Sequence, residues 1–287
     1  MASKGVPLQA PASLKQAFDL SGRIAAITGG AGLLGVKHGE AMMELGATVA
    51  LLDLDEARAR ASAADLVRRV GGMAIGVGCD ITDEASVEAA QERVTQELGV
   101  ANILINNAAN NPKVEGDSSG KNFSRLENFP LSVWNIDIAV GLTGAFLCSR
   151  VFGAGMARAG RGVIVNIASD LGVIAPDQRL YRKDDLSAEQ QPVKPVTYSV
   201  IKAGLIGLTR YLATYWPDRG IRCNALVPGG VYAGQDALFL SRVSELIPMG
   251  RMAHQDEYKG AIAFLASDAS SYMNGALLVV DGGRTAW

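Results

Sequence analysis

The chain has few of the cysteines, histidines and excess charges that disulfide-linked, zinc-binding and nucleic-acid-binding proteins require. Its 287 residues include only three cysteines and two histidines, and its formal net charge is −2. An odd, scattered set of cysteines with no Cys-x-x-Cys pair argues against a disulfide framework, and two histidines without partners at ligand spacing argue against a zinc site. We therefore predict no metal site, and the near-neutral charge predicts no nucleic-acid partner.

The first twenty residues lack a continuous apolar run. They contain Lys4, Lys15, Pro7 and Pro11, a composition unlike that of a signal peptide or a membrane anchor. We predict an irregular N-terminal arm over 1–20, a single domain over 21–287, a cytoplasmic location and no membrane association. The hydrophobic content of 48% is enough for a large buried core in a domain of this length.

From Arg23 onward, short apolar runs alternate with helical patterns. The predicted strands are 23–28, 48–53, 73–79, 102–106, 162–168, 221–227 and 276–280, and the predicted helices surround 36–45, 56–70, 84–98, 132–159, 200–215 and 256–267. This alternation is typical of an α/β fold in which a doubly wound parallel sheet has helices on both faces. Two polar segments, 110–130 and 173–196, interrupt it, and long loops of this kind often carry function.

A glycine-rich turn follows the first predicted strand. Gly30, Gly32 and Gly35 form Gly-x-Gly-x-x-Gly before the first long helix. Glycines at these positions allow a tight turn and bring the backbone close to a pyrophosphate at the helix N-terminus. Asp53 ends the next strand, at the interval where an acidic side chain binds ribose hydroxyls. A carboxylate there repels a 2′-phosphate, so we predict NAD; a structural turn and a solvated aspartate are the alternatives.

Tyr198 and Lys202 are one helical turn apart. Residues at this spacing share a helix face, so the ammonium can lower the pKa of the phenol from its usual value of about 10. A lone Tyr-x-x-x-Lys pair also arises by chance on exposed helices. Its meaning therefore depends on the motifs around it.

The motifs together resemble those of the short-chain dehydrogenase/reductase family. The matching segments, in chain order, are the glycine turn, Asp53, Cys79-Asp80-Ile81, Asn106-Asn-Ala-Ala109, Ser169, Tyr198-x-x-x-Lys202, Pro228-Gly-Gly230 and Val280-Asp-Gly-Gly283. The resemblance covers about 20–283. It implies a single Rossmann-type domain with a seven-stranded parallel sheet, an NAD-dependent exchange between alcohol and ketone on a small-molecule substrate, and a homo-oligomer, either a tetramer or a dimer.

The resemblance also implies a role for each matching residue. Tyr198 matches the general acid/base, Lys202 the residue that lowers its pKa and holds the nicotinamide ribose, and Ser169 the residue that positions the substrate oxygen. The implied cofactor-binding residues are Gly29, Gly30, Gly32, Leu33, Leu34, Gly35, Asp53, Leu54, Asp80, Ile81, Asn107, Ala108, Tyr198, Lys202, Pro228, Gly229 and Val231.

The sequence departs from the family pattern at three places. Leu33 stands where the family usually has a glycine, with Gly32 before it, a spacing closer to the extended branch of the family; the absence of a separate C-terminal substrate domain favours the single-domain type. Gly141 occupies the position of the family's relay asparagine, so Asn135 or a backbone carbonyl replaces it, or turnover is slower. The third departure is the long segment 173–196 between Ser169 and the tyrosine.

That long polar segment predicts a hydrophilic substrate site. The candidate substrate residues are Asn110, Lys113, Asp170 and Arg179, and four loop cations could bind a carboxylate or phosphate or remain solvated: Arg179, Arg182, Lys183 and Lys194. The predicted substrate is hydroxylated, with an anionic group as one option. It is a sugar, a sugar acid or a surface-sugar precursor, the last because 110–115 and 141–144 are similar to a subgroup of bacterial surface-sugar enzymes. The alternatives are a catabolic polyol or sugar-acid dehydrogenase and an NAD(H)-binding sensor with weak turnover.

Overall fold

Seven strands form one parallel sheet at the centre of the protein. In the computed structural model, which describes residues 13–110 and 122–287, their order is β3-β2-β1-β4-β5-β6-β7, and every neighbouring pair is parallel. The strands are β1 Ile24–Thr28, β2 Thr48–Asp53, β3 Ala74–Gly78, β4 Ile103–Asn106, β5 Gly162–Ile167, β6 Ile221–Pro228 and β7 Leu277–Val280. The predicted Rossmann-type sheet is confirmed, and each strand ends within one residue of its predicted bounds.

Helices cover both faces of this sheet. They are α1 Leu14–Phe18, α2 Leu33–Glu44, α3 Glu56–Val70, α4 Glu84–Glu97, α5 Leu131–Ile138, α6 Gly144–Ala159, α7 Val196–Tyr215, α8 Ala237–Glu245 and α9 Lys259–Ala266. The short α1 is capped by Ser13, whose hydroxyl accepts the Gln16 amide at 3.2 Å. Most of the predicted arm lies outside the described residues, so its boundary at residue 20 stays a prediction.

Strand β2 shows how the sheet separates two cores. Val49 and Leu51 join the core beneath α2, α3 and α9, whereas Ala50 and Leu52 join the core beneath α4 and α6. Successive side chains of a strand point to opposite faces, so each face of the sheet needs its own apolar residues. This requirement explains why the strands have almost no polar alternation.

The helix predicted over 132–159 is not continuous. A π-helical turn, Ala139–Thr143, separates α5 from α6, and such turns are frequent at functional sites. The whole stretch Leu131–Ala159 is long and apolar enough to cross a membrane by length and composition. Its side chains Cys148 and Phe152 pack in the core against the sheet, as expected for a core helix.

The long polar segment 173–196 folds over the carboxyl edge of the sheet. It contains a 3₁₀ turn, Gln178–Tyr181, and the Tyr181 ring packs against Phe239 of α8 with centroids 5.8 Å apart. Helix α7 then begins at Val196, earlier than the predicted start at residue 200. The first turn of α7 therefore includes the tyrosine that the sequence marked as the acid/base.

Candidate active site

The candidate site lies at the carboxyl edge of the sheet, where the strand order changes direction. The chain runs outward from β1 to β2 and β3, then crosses back to pair β4 with the other edge of β1. The loops after β1 and β4 therefore separate, and a crevice forms between them. Doubly wound sheets bind their ligands at such a crevice.

Backbone contacts shape the glycine-rich turn between β1 and α2. The Gly30 amide donates to the Leu52 carbonyl at 2.9 Å, and the Gly32 amide donates to the Gly29 carbonyl at 3.0 Å. A Cβ atom at Gly35 would lie 2.2 Å from the Gly29 oxygen, which leaves room for glycine alone. Because Gly32 offers no capping side chain, the first amides of α2 are available for a phosphate.

A cleft of about 470 Å³ leads from this turn across the ends of β2, β3 and β4. Half-buried Asp53 closes one end, and its Oδ2 accepts the Ala31 amide at 3.0 Å. The cleft is lined by the predicted cofactor residues Gly29, Gly32, Leu33, Leu34, Asp53, Leu54, Asp80, Ile81, Asn107 and Ala108, and also by Arg58. The turn, the helix amides and the carboxylate together fit a nicotinamide dinucleotide.

Two of these polar residues also support the cleft. The Asn107 amide group donates to the carbonyls of Thr28 and Gly29, at 3.0 and 3.1 Å, and so ties β4 to the glycine turn. Asp80 accepts the amide and the hydroxyl of Thr82 at 2.9 and 2.7 Å. These hydrogen bonds hold two walls of the cleft in place, in addition to the cofactor contacts that the resemblance implies.

Ser169, Tyr198 and Lys202 line one pocket beside this cleft. Ser169 follows β5, and the other two lie one turn apart in α7. The Lys202 side chain is buried, and its Nζ donates to the Ile167 carbonyl at 2.7 Å. The Ser169 hydroxyl donates to Asp170 Oδ1 at 2.6 Å. The fold thus brings Ser169 close to Tyr198 and Lys202, although the long segment 173–196 separates them in the sequence.

Burial controls the proton affinities in this pocket. It raises the pKa of Tyr198, the Asp170 charge adds to the rise, and a hydrogen bond with Ser169 opposes it. Burial lowers the pKa of Lys202 to about 8, with the positive charge of Lys194 as the second cause. A phenol in this environment needs nearby positive charge before it can accept a proton near neutral pH.

The pocket above these three residues has a volume of about 670 Å³. Its lining includes Asn110 and Asp170, two of the candidate substrate residues, and both polar and apolar side chains. Further lining residues are Asp177, Gln235, Asp236 and Arg284, the apolar Leu180, Phe239, Val243, Ile247 and Met252, and the predicted cofactor residues Pro228, Gly229 and Val231. Burial raises the pKa of Asp170.

The loop cations are arranged differently from the sequence expectation. Arg179 does not line the pocket, because its exposed guanidinium pairs with Asp177 at 2.6 Å. Lys183 is exposed and also lies outside the lining, whereas Lys194 is part of it. Lys113 lies outside the described residues. Of these loop cations, Lys194 therefore faces the pocket, whereas the candidate substrate residue Arg179 does not.

Gly141 lies in the π turn and packs against α7. A Cβ atom there would be 2.7 Å from Ile201 Cγ2, so Ile201 fills the space that a side chain would need. One turn earlier, buried Asp137 links the loop after β4 to the start of α7. Its Oδ1 accepts a hydrogen bond from the side-chain amide of Asn110 at 2.9 Å, and its Oδ2 accepts one from the Thr197 hydroxyl at 2.5 Å.

A small cavity of about 20 Å³ lies between Asp137, Gly141 and Lys202. Its volume and polar walls suit one water molecule. Asn135, the side-chain replacement considered for the relay asparagine, is exposed and does not line the cavity. Sequence reasoning missed Asp137, although an acidic residue between two isoleucines in a helix with few charges was a usable signal.

These features define an α/β oxidoreductase that binds a nicotinamide dinucleotide beside a tyrosine and a lysine. Residues 23–181 match the family model for short chain dehydrogenase, and residues 186–285 match the model described as Enoyl-(Acyl carrier protein) reductase. The chain belongs to the short-chain dehydrogenase/reductase family. Among residues 13–110 and 122–287, no group of three or more His, Cys, Asp or Glu side chains could hold a metal ion.

Several relatives act on small hydroxylated molecules. The chain is 35% identical to D-threitol dehydrogenase of Mycolicibacterium smegmatis, over 93% of this chain and 95% of the relative. It is 34% identical to galactitol 2-dehydrogenase of Rhizobium johnstonii, over 96% of this chain and 100% of the relative. A solved gluconate 5-dehydrogenase of Burkholderia cenocepacia, in complex with NADP and tartrate, superposes with a TM-score of 0.80 at 28% identity, covering 96% of this chain and 100% of that structure.

Proposed function

We propose that the protein interconverts a secondary alcohol of a neutral polyol and the corresponding ketone, with NAD as its cofactor. The observation that carries this proposal is the pocket shared by Ser169, Tyr198 and Lys202, which adjoins a dinucleotide cleft. A binding module has no need for a buried phenol and a buried ammonium in one pocket. The sensor function therefore remains the weaker alternative.

Each of the three residues has a distinct task in this reaction. The bound nicotinamide supplies the hydride acceptor or donor. In the oxidation direction, the Tyr198 oxygen accepts the proton of the substrate hydroxyl, and in reduction it returns that proton. The Ser169 hydroxyl holds the substrate oxygen, while the Lys202 ammonium stabilises the phenolate.

The polar groups of the pocket fit a neutral, hydroxylated substrate. Asp170, Asp177 and Asp236 line the wall, where their oxygens can accept hydrogen bonds from hydroxyl groups. The cations of the same lining, Lys194, Lys202 and Arg284, balance these carboxylates, so the pocket has no net formal charge that would select an anion. The D-threitol and galactitol dehydrogenases among the relatives support a polyol. A surface-sugar precursor stays a prediction from the sequence.

A sugar acid is the second candidate substrate. Lys194 and Arg284 also line the pocket, and either could pair with a carboxylate. The gluconate 5-dehydrogenase holding tartrate supports this candidate. The two substrate classes therefore belong in the same activity screen.

The cofactor preference depends on two side chains of opposite charge. Asp53 favours NAD, because its carboxylate repels a 2′-phosphate and can bind the ribose hydroxyls. Arg58 lines the same cleft and favours NADP, as does the NADP-bound relative. We propose NAD because Asp53 is half-buried at the end of β2, whereas Arg58 is exposed and free to move away.

We also infer a homo-oligomer, either a tetramer or a dimer. Large apolar side chains are exposed on α5, α6 and α7, including Leu131, Ile136, Phe146, Tyr211 and Tyr215, and exposed apolar groups of this kind favour association. A cytoplasmic location stays a prediction from the sequence.

An absorbance screen for NAD and NADP reduction over polyols, sugars and sugar acids tests the proposal. We expect turnover of a polyol with NAD, and we expect Tyr198→Phe to lower kcat about 10²- to 10⁴-fold with NAD affinity within a few-fold of the wild type. Tyr215→Phe, an exposed change on the same helix, is the matched control. Undiminished turnover by Tyr198→Phe would refute the mechanism, and NADH binding without turnover of any substrate would favour the sensor function.

A further inference from the structure

Two ammonium groups flank the ring of Tyr198. Lys194 Nζ lies 3.9 Å from the ring centroid, and Lys202 Nζ lies 5.7 Å from it. Lys202 follows the tyrosine by one turn of α7, whereas Lys194 precedes it in the last part of the long segment 173–196, just before the helix begins. The two cations therefore reach the ring from different elements.

The surroundings of Lys194 are unusual for a loop lysine. Its side chain lines both the large pocket and the small cavity beside Asp137. No carboxylate lies within 4.0 Å of its Nζ in the part of the chain that the structure describes. Burial lowers the pKa of Lys194, and the charge of Asp170 opposes this effect. Lys183, in the same segment, remains exposed.

An ammonium without an ion-pair partner is costly to bury. The free-energy cost of burying Lys194 falls when a negative charge forms beside it, and a deprotonated Tyr198, whose ring centroid lies 3.9 Å from Nζ, would supply that charge. A phenolate shares its negative charge with the ring, so a cation above the ring stabilises the phenolate more than the neutral phenol. The position of Lys194 therefore favours the deprotonated tyrosine.

The other groups around Tyr198 make a second cation useful. Burial and Asp170 both act against the phenolate, and the neighbouring Tyr181 is a neutral phenol that also lines the pocket. Asp137, across the small cavity, adds another carboxylate. Lys202 also faces the ring, and its own pKa is lowered by its burial and by the positive charge of Lys194.

We propose that Lys194 is a second cation that acts with Lys202 to stabilise the Tyr198 phenolate during proton transfer. The proposal rests on the proposed function, because it takes Tyr198 as the base. In alcohol oxidation the substrate O–H bond breaks, its proton forms the new O–H bond of Tyr198, and the carbinol hydride passes to the nicotinamide. Lys194 keeps its proton throughout and acts as a positioning residue through Tyr198.

Titration of the tyrosine tests this role without any need for turnover. The tyrosinate absorbance of the NAD-bound protein is recorded against pH, with the Tyr198→Phe variant subtracted, and the same difference is taken in a Lys194→Met background. We expect the Tyr198 midpoint to rise by about one pH unit in Lys194→Met and to stay near the wild-type value in Lys194→Arg. Lys183→Met is the matched control and leaves the midpoint in place. An unchanged midpoint in Lys194→Met overturns the proposal.

The pH dependence of turnover provides the second readout. In alcohol oxidation, kcat/KM falls toward acid pH as Tyr198 becomes protonated, so Lys194→Met moves this fall to higher pH. We expect about a tenfold loss at neutral pH that shrinks as the pH rises. A lysine that only binds substrate would instead raise KM equally at every pH and leave the midpoint unchanged, which contradicts the proposal. A wild-type protein without turnover refutes the proposed function, and the absorbance titration still decides the role of Lys194.

Discussion

The nucleotide side and the catalytic side of the crevice differ in what surrounds their key glycines. At Gly35, the atom nearest to an added Cβ is a backbone oxygen of the glycine turn; at Gly141, the nearest atoms belong to the Ile201 side chain. Backbone atoms cannot yield without moving the turn, whereas a side chain can be replaced or can rotate. Gly35 is thus fixed by the backbone of its own turn, while Gly141 could be replaced if Ile201 changed with it.

The largest effect is expected from Gly35→Ala. Its Cβ would lie 2.2 Å from the Gly29 oxygen, so the start of α2 must shift and the phosphate-binding amides move with it. A misplacement of about 1 Å in an active site can lower the rate of catalysis about 100-fold, and a similar factor applies here to the loss of phosphate contacts. We expect NAD affinity, measured by calorimetry or fluorescence quenching, to fall by at least about that factor.

Gly207→Ala is the matched control for this change. Gly207 lies exposed in α7 with no atom within 4 Å of an added Cβ, so alanine there should preserve NAD affinity and stabilise the helix by up to about 1 kcal/mol. If Gly35→Ala also preserved NAD affinity, the backbone of the turn would be more adaptable than its contacts indicate. The contrast between the two sides of the crevice would then fail.

A smaller effect is expected from Gly141→Asn, which restores the residue usual in the family. The new Cβ would meet Ile201 Cγ2 at 2.7 Å and Cδ1 at 2.9 Å, and overpacking of this kind typically costs about 1–3 kcal/mol. Because the obstacle is a side chain, Ile201→Ala should relieve it. Chemical denaturation of both single variants and the double variant measures the coupling, with Gly207→Asn as control. Strictly additive losses would show that Ile201 is not the cause.

The smallest change is expected from Asp53→Ala, which alters a charge and little packing. Loss of the carboxylate removes the repulsion of a 2′-phosphate, so the ratio of kcat/KM for NAD to that for NADP should fall about tenfold, equivalent to about 1.4 kcal/mol. Asp55→Ala removes a carboxylate that caps α3 but does not line the cleft, so it should leave this ratio unchanged. A wild-type preference for NADP would contradict the assignment and point to Arg58.

Much of the architecture could be predicted from local sequence. The strands have near-continuous apolar runs because both faces are covered, and the predicted bounds are accurate to one residue. The helix over 132–159 was predicted as continuous because a π turn leaves no signal in apolar periodicity. The start of α7 was predicted too late because Pro195, which directly precedes its first residue, was not used as a signal for the start of a helix.

The candidate site could be predicted only in part. Its motif residues are recognisable because glycines, Asp53 and the Tyr-Lys pair have fixed spacings along the chain. The roles of Asp137 and Lys194 depend on contacts between α5, the long segment and α7, which no spacing records. The choice of Arg179 as a substrate cation was not supported for the same reason: its nearest carboxylate, Asp177, is a neighbour whose pairing depends on the turn that they share.

The sequence by itself determined the chain order of strands and helices and the glycine turn with its acidic partner, because these depend on short-range geometry, and it placed the candidate pair Tyr198 and Lys202 one helical turn apart. Only the tertiary structure decided which charges surround Tyr198. The reason is physical: electrostatic effects depend on distance and burial, and the groups that matter here come from separate elements that meet only when the sheet is complete.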